Sequence, residues 1–65
     1  MTVYFKFKTG KFTELHNVDD IDHDGDAIYV YMVNGTIKRC RSCAVKYFTI
    51  EYSTGERYTC RPEYE

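Results

Sequence analysis

The chain has 65 residues, a net charge of −1 and three cysteines, and tyrosine is its commonest aromatic residue, with seven copies. A chain this short forms one small domain that buries only about 60% of its unfolded surface, which leaves little volume for a closed pocket. The odd cysteine count argues against a complete secreted disulfide framework, and no apolar run approaches the roughly 18 residues of a membrane span.

Residues 2–8 read as a strand, with Val3, Phe5 and Phe7 on one face and Tyr4, Lys6 and Lys8 on the other. Thr9-Gly10 signals a hairpin, and residues 11–18 continue as a second strand with a bulge expected near Thr13, because Phe12 and Leu15 break the alternation. Residues 19–26, rich in aspartate, read as a polar turn. Residues 27–33 form the central strand, with Ile28, Val30 and Met32 facing one way and Tyr29, Tyr31 and Val33 the other. Both faces are apolar or amphipathic, more than so short a chain covers by itself. Asn34-Gly35 predicts a tight type I′ hairpin into a return strand over residues 36–41. Ser42–Ala44 reads as a bend, residues 45–52 as a strand, Ser53-Thr54-Gly55 as a third hairpin turn and residues 56–61 as the last strand, ended by Pro62.

Turn signals every ten to twelve residues, with no sustained helical period, predict an all-β fold. The expectation is a small single domain over residues 1–65, with 62–65 as a tail. It has about five to six short antiparallel strands in a strongly curved sheet or an SH3-like small barrel. The expected core is Val3, Phe5, Phe7, Phe12, Leu15, Ile21, Ile28, Val30, Met32, Ile37, Phe48 and Ile50.

Charge is segregated. Lys6, Lys8 and Lys11 give the opening segment a basic character, while Glu14 and five aspartates make residues 12–35 acidic. Lys38, Arg39, Arg41 and Lys46 then form a basic stretch, and residues 47–65 are weakly acidic. The basic stretch, set among tyrosines, contains the ingredients of a nucleic-acid platform, with Lys38, Arg39, Arg41 and Lys46 as its candidate contacts.

Asp20-Ile21-Asp22-His23-Asp24-Gly25 matches the first half of an EF-hand loop, with Asp26 as a further acid. The twelfth position is Tyr31, where such a loop needs a bidentate glutamate, so no calcium site is expected. Cys40-Arg41-Ser42-Cys43 is a CxxC. With Cys60 and either His16 or His23 it offers weak zinc candidates and the alternative of a zinc-stabilised structural domain. No nucleophile elbow, phosphate loop or HExxH is present, so the chain is expected to be no enzyme and to need no cofactor.

Tyrosine gives large contact area at low entropy cost, and with arginine it is enriched at binding hot spots. Tyr4, Tyr29, Tyr31, Tyr47, Tyr52, Tyr58 and Tyr64 therefore point to a protein partner or a homodimer. The candidate contacts are Asp20, Asp22, Asp24, Asp26, Tyr29 and Tyr31. In size, Tyr/Asp/Lys-rich composition and lack of catalytic apparatus, the chain resembles the small single-domain proteins of phages and other mobile elements. That resemblance implies a stoichiometric inhibitor that binds and blocks a host protein, as anti-restriction and anti-CRISPR proteins do, while the unpaired thiols and the lack of an apolar span point to the cytoplasm and to no membrane contact.

Overall fold

A computed structural model describes residues 1–62. The fold is all-β, with seven strands among the described residues: β1 Thr2–Phe7, β2 Phe12–Leu15, β3 Val18–Asp24, β4 Ala27–Met32, β5 Ile37–Arg41, β6 Val45–Glu51 and β7 Arg57–Cys60. They form two antiparallel sheets, ordered β2-β1-β6-β7 and β3-β4-β5, which do not close into a barrel. The expected tail, including Glu63, Tyr64 and Glu65, lies outside the described residues beyond Pro62.

Three of the hairpins use one loop. Lys8-Thr9-Gly10, Val33-Asn34-Gly35 and Ser53-Thr54-Gly55 each close with the glycine N–H donating to the carbonyl three residues back, at 2.9 Å in every case. The two residues before each glycine keep negative φ, while the glycines lie at φ +99°, +93° and +95°. Each loop is thus a type I turn followed by a glycine bulge. This corrects the type I′ expectation at Asn34-Gly35, because Asn34 stays at negative φ and instead accepts the Thr36 N–H on its Oδ1 at 2.9 Å. Gly35→Val forces a β-branched residue into the left-handed region. It is expected to cost about 1–2 kcal/mol, read as a lower urea midpoint with an unchanged slope. An unmoved midpoint would show that this loop does not hold the β4–β5 register.

The segment 19–26 is mainly strand, not turn. β3 runs through Asp24, and only Gly25-Asp26 turns, with Gly25 at φ +50°. Ile21 and His23 alternate with Asp20, Asp22 and Asp24, so the acids line one face while Ile21 packs against the core. Nor is 11–18 a single strand. Asn17, at φ 59°, breaks it and carries the chain from the larger sheet to the smaller. At this corner Met1 and Val18 exchange backbone hydrogen bonds at 3.0 Å in both directions, tying the sheets together.

The core lies between the sheets. Val3, Phe5, Val45, Phe48 and Ile50 from the larger sheet meet Val18, Ile28 and Val30 from the smaller. The Phe5 and Phe48 rings sit 5.6 Å apart. Of the expected core, Phe7, Leu15, Ile21 and Met32 are partly buried, whereas Phe12 and Ile37 are 53% and 58% exposed. Val18, Ala27 and Val45 are buried instead. Val45 enters because β6 carries an extra residue: Lys6 pairs with Tyr47 and Phe7 with Val45, so Lys46 is left over as a bulge. Regular alternation would aim Lys46 inward; the bulge leaves it exposed and turns Val45 into the core. The expected bend at Ser42–Ala44 is one turn of 3-10 helix. It is pinned by Ser42, whose hydroxyl donates to the Gly25 carbonyl at 2.7 Å and whose N–H donates to the Asp26 carbonyl at 2.9 Å.

Candidate functional site

The outer face of the smaller sheet gathers most of the residues singled out as partner contacts. Cross-strand register sets Asp20 beside Tyr31 and Tyr31 beside Ile37. The next row is Asp22, Tyr29 and Arg39, and the third is Asp24, Ala27 and Arg41, where Ala27 itself is buried and only its charged neighbours are exposed. Directly paired residues share a face. The face therefore carries an acidic column on β3, a tyrosine column on β4 and a column of Ile37 and two arginines on β5. Adjacent strands lie about 4.8 Å apart, so the acidic and basic columns are separated by about 10 Å with the tyrosines between them. Tyr29 and Tyr31 are half-buried, and the Arg39 guanidinium sits 6.0 Å from the Tyr29 ring centre, within cation–π range. Asp26 is displaced to the turn. It joins Arg39, Arg41, Ser42 and Cys43 around a shallow depression of about 300 Å³ at one end of the face.

The proposed nucleic-acid set is dispersed. Arg39 and Arg41 belong to this face, Lys38 lines a cleft on the inner side, and Lys46 lies on the other sheet. The cleft, of about 210 Å³, opens between the sheets and is lined by Phe5, Phe7, Leu15, Val30 and Cys40 among others. Burial pushes the Cys40 thiol up from its ordinary pKa, with the neighbouring Arg39 charge opposing the shift, so Cys40 is a poor nucleophile. Cys43 is exposed on the 3-10 turn and Cys60 pairs across from Phe48 on β7. No three His, Cys, Asp or Glu side chains among the described residues converge as metal ligands. Asp20, Asp22 and Asp24 stand in a row along an extended strand, whereas an EF-hand loop wraps its ligands around the ion.

Sequence reasoning missed a second surface, the outer face of the larger sheet. Lys6 lies between Phe12 on β2 and Tyr47 on β6 in one cross-strand row. Tyr4, two residues back on the same face, stacks on Phe12 with ring centres 6.1 Å apart. Arg57 and Arg61 from the β7 side lie over Tyr4 and Tyr47, at 5.9 and 5.4 Å from the ring centres. The opposite end of this face is acidic and internally paired. The Tyr4 hydroxyl donates to Glu51 at 2.7 Å, Arg57 donates to the same carboxylate at 3.3 Å, and His16 lies 2.7 Å from Glu14.

The hydrogen bond from Tyr4 holds the Glu51 carboxyl below its ordinary range, helped by Arg57 and opposed by desolvation; the same bond raises the Tyr4 phenol. A lowered carboxyl favours the fold above its unfolded pKa of about 4.3 and stops doing so as pH falls through the folded value. A raised phenol favours the fold below about pH 10 and stops as pH rises through its folded value. The pair therefore contributes across the range between these limits. Tyr4→Phe should return the Glu51 titration towards the ordinary carboxylate range, observed by carbon NMR of the carboxyl. An unmoved midpoint would assign the shift to the Arg57 and His16 charges instead.

No protein-family model, curated protein or solved structure matches this chain. No helix among the described residues is long and apolar enough to cross a membrane.

Proposed function

We propose that the chain is a non-enzymatic protein-binding module that works through the Asp–Tyr–Arg face of its smaller sheet, with a second copy of itself as partner. The observation that carries this reading is the order of the columns. A two-fold axis lying along the tyrosine column, parallel to the strands, turns one face onto another and exchanges left for right. Asp22 of one copy then meets Arg39 of the other, Asp24 meets Arg41, and each tyrosine meets its own counterpart. A two-fold at right angles to the strands would set acid on acid, so the charges select one arrangement.

Three strands of about six residues make a face roughly 14 by 20 Å, the size of a weak interface rather than an obligate one. A foreign protein presenting the same columns would compete for it. Stoichiometric blocking of such a host protein by a phage or mobile-element module is the role we propose beyond self-association.

Sedimentation at rising concentration tests the face. The wild type should pass from monomer to dimer at micromolar concentration or above, with the transition moving upward in salt. Tyr29→Ala should weaken the dimer about tenfold or more, by loss of a central aromatic anchor. A wild type that stays monomeric to millimolar concentration, or a Tyr29→Ala variant that dimerises normally, would reject the arrangement.

A further inference from the structure

We propose that the outer face of the larger sheet is a binding platform for single-stranded nucleic acid. This is a different surface from the protein-binding face, and it does not depend on that reading.

The platform has a defined composition. Tyr4, Phe12 and Tyr47 surround Lys6, two of them directly across from it and the third two residues along its own strand. Phe12 is more than half exposed although it is a large apolar ring on a sheet too small to waste one. Every nucleobase has a π-face, so exposed aromatic rings on a sheet accept bases without regard to sequence.

Cations stand where the phosphates would run. Lys6 lies within the aromatic group, and Arg61 is over Tyr47 at the far side of the same cross-strand row. Of the carboxylates on the face, Glu51 lies towards the other end and is engaged by Tyr4 and Arg57, while Glu14 stands directly across from Tyr4 and is engaged by His16. The face is thus basic and aromatic at one end, acidic and self-paired at the other. A strand crossing the row Phe12–Lys6–Tyr47–Arg61 meets Lys6 and Arg61, and the one acid in the adjacent row, Glu14, is held by His16. Guanidinium groups already lying over Tyr4 and Tyr47 can sandwich a base against a ring or shift to a phosphate. Single-stranded rather than duplex nucleic acid follows from the geometry. Bases inside a duplex are stacked on one another and cannot lie on the rings of a flat sheet.

The test is fluorescence anisotropy with a labelled oligothymidylate of about twelve nucleotides, within the site size of such platforms. Binding should fall as salt rises, with a log–log slope near −2 for about three neutralised phosphates. Phe12→Ala should weaken binding about tenfold while leaving the urea midpoint nearly unchanged, because the ring is exposed. Arg61→Gln should reduce the slope by about 0.7. Tyr29→Ala, on the other sheet, should change neither quantity. Absence of binding at low salt would overturn the proposal. So would equal affinity for duplex DNA or heparin combined with indifference to Phe12→Ala, since the face would then be a plain polycation. Self-association lost on Phe12→Ala, with the oligonucleotide left unbound, would reassign the face to protein contact.

Discussion

Ile28→Ala is expected to remove a large share of the stability of this protein. Ile28 is fully buried near the start of β4, and it packs in the core between the sheets. Truncating such a residue costs about 2–5 kcal/mol, from lost transfer energy and the cavity left behind. A domain of this length has only about 3–10 kcal/mol in total, at the usual 0.05–0.15 kcal/mol per residue. The variant should therefore unfold at much lower urea, and its circular dichroism at room temperature should already contain an unfolded contribution. Ile37→Ala deletes the same atoms from a residue that is 58% exposed on β5 and should shift stability by less than about 0.5 kcal/mol. Equal losses at the two sites would mean that the sheets do not pack through β4 as described.

The second large effect is on association. Reversing the acidic column (Asp20, Asp22 and Asp24 to Lys) leaves a face with cations on both sides of the tyrosines. Reversing the basic column (Arg39 and Arg41 to Glu) leaves acids on both sides. Under the two-fold, each variant meets only like charge in a second copy of itself, a cost of several kcal/mol that lowers self-association about a hundredfold or more. Mixed together, the two variants oppose cations to acids along both columns and should form a heterodimer. Sedimentation of each alone and of the equimolar mixture reads this directly. A mixture that stays monomeric, or an acidic-column variant that still dimerises alone, rules out a two-fold along the strands.

Much of this fold could be read from local pattern. The three glycine loops announce their hairpins, and the alternation in 27–33 places Ile28 and Val30 inside and Tyr29 and Tyr31 outside, as found. Of the acids and tyrosines named as partner contacts, Asp20, Asp22, Asp24, Tyr29 and Tyr31 share a face, through strand pairing, while Asp26 is left on the turn. The alternation of Ile21 and His23 with Asp20, Asp22 and Asp24 was present in the sequence; the poor strand propensity of aspartate masked it. Other features have no local signature. Phe12 and Ile37 look like core residues until their partners are known, and each pairs with a residue of an outward face: Phe12 with Lys6, Ile37 with Tyr31. The inward turn of Val45 depends on a bulge that only the register with β1 reveals. The aromatic platform requires Lys6 to lie beside Tyr47, a pairing across forty residues that no short window contains.

That same pairing sets how the chain must fold. Four of the five strand pairings join neighbours in sequence, and each can form as a local hairpin in microseconds. The exception is β1 with β6, where Thr2 meets Glu51 and Phe5 meets Phe48. Joining them closes a loop of about forty residues before any contact between them is gained, so this step carries the entropic barrier. Weakening the Phe5–Phe48 contact should slow folding, whereas weakening the outer hairpin β6–β7 should mainly hasten unfolding. The lifetime of the native state can thus be altered at one end of the larger sheet while the rate of reaching it is governed at its centre.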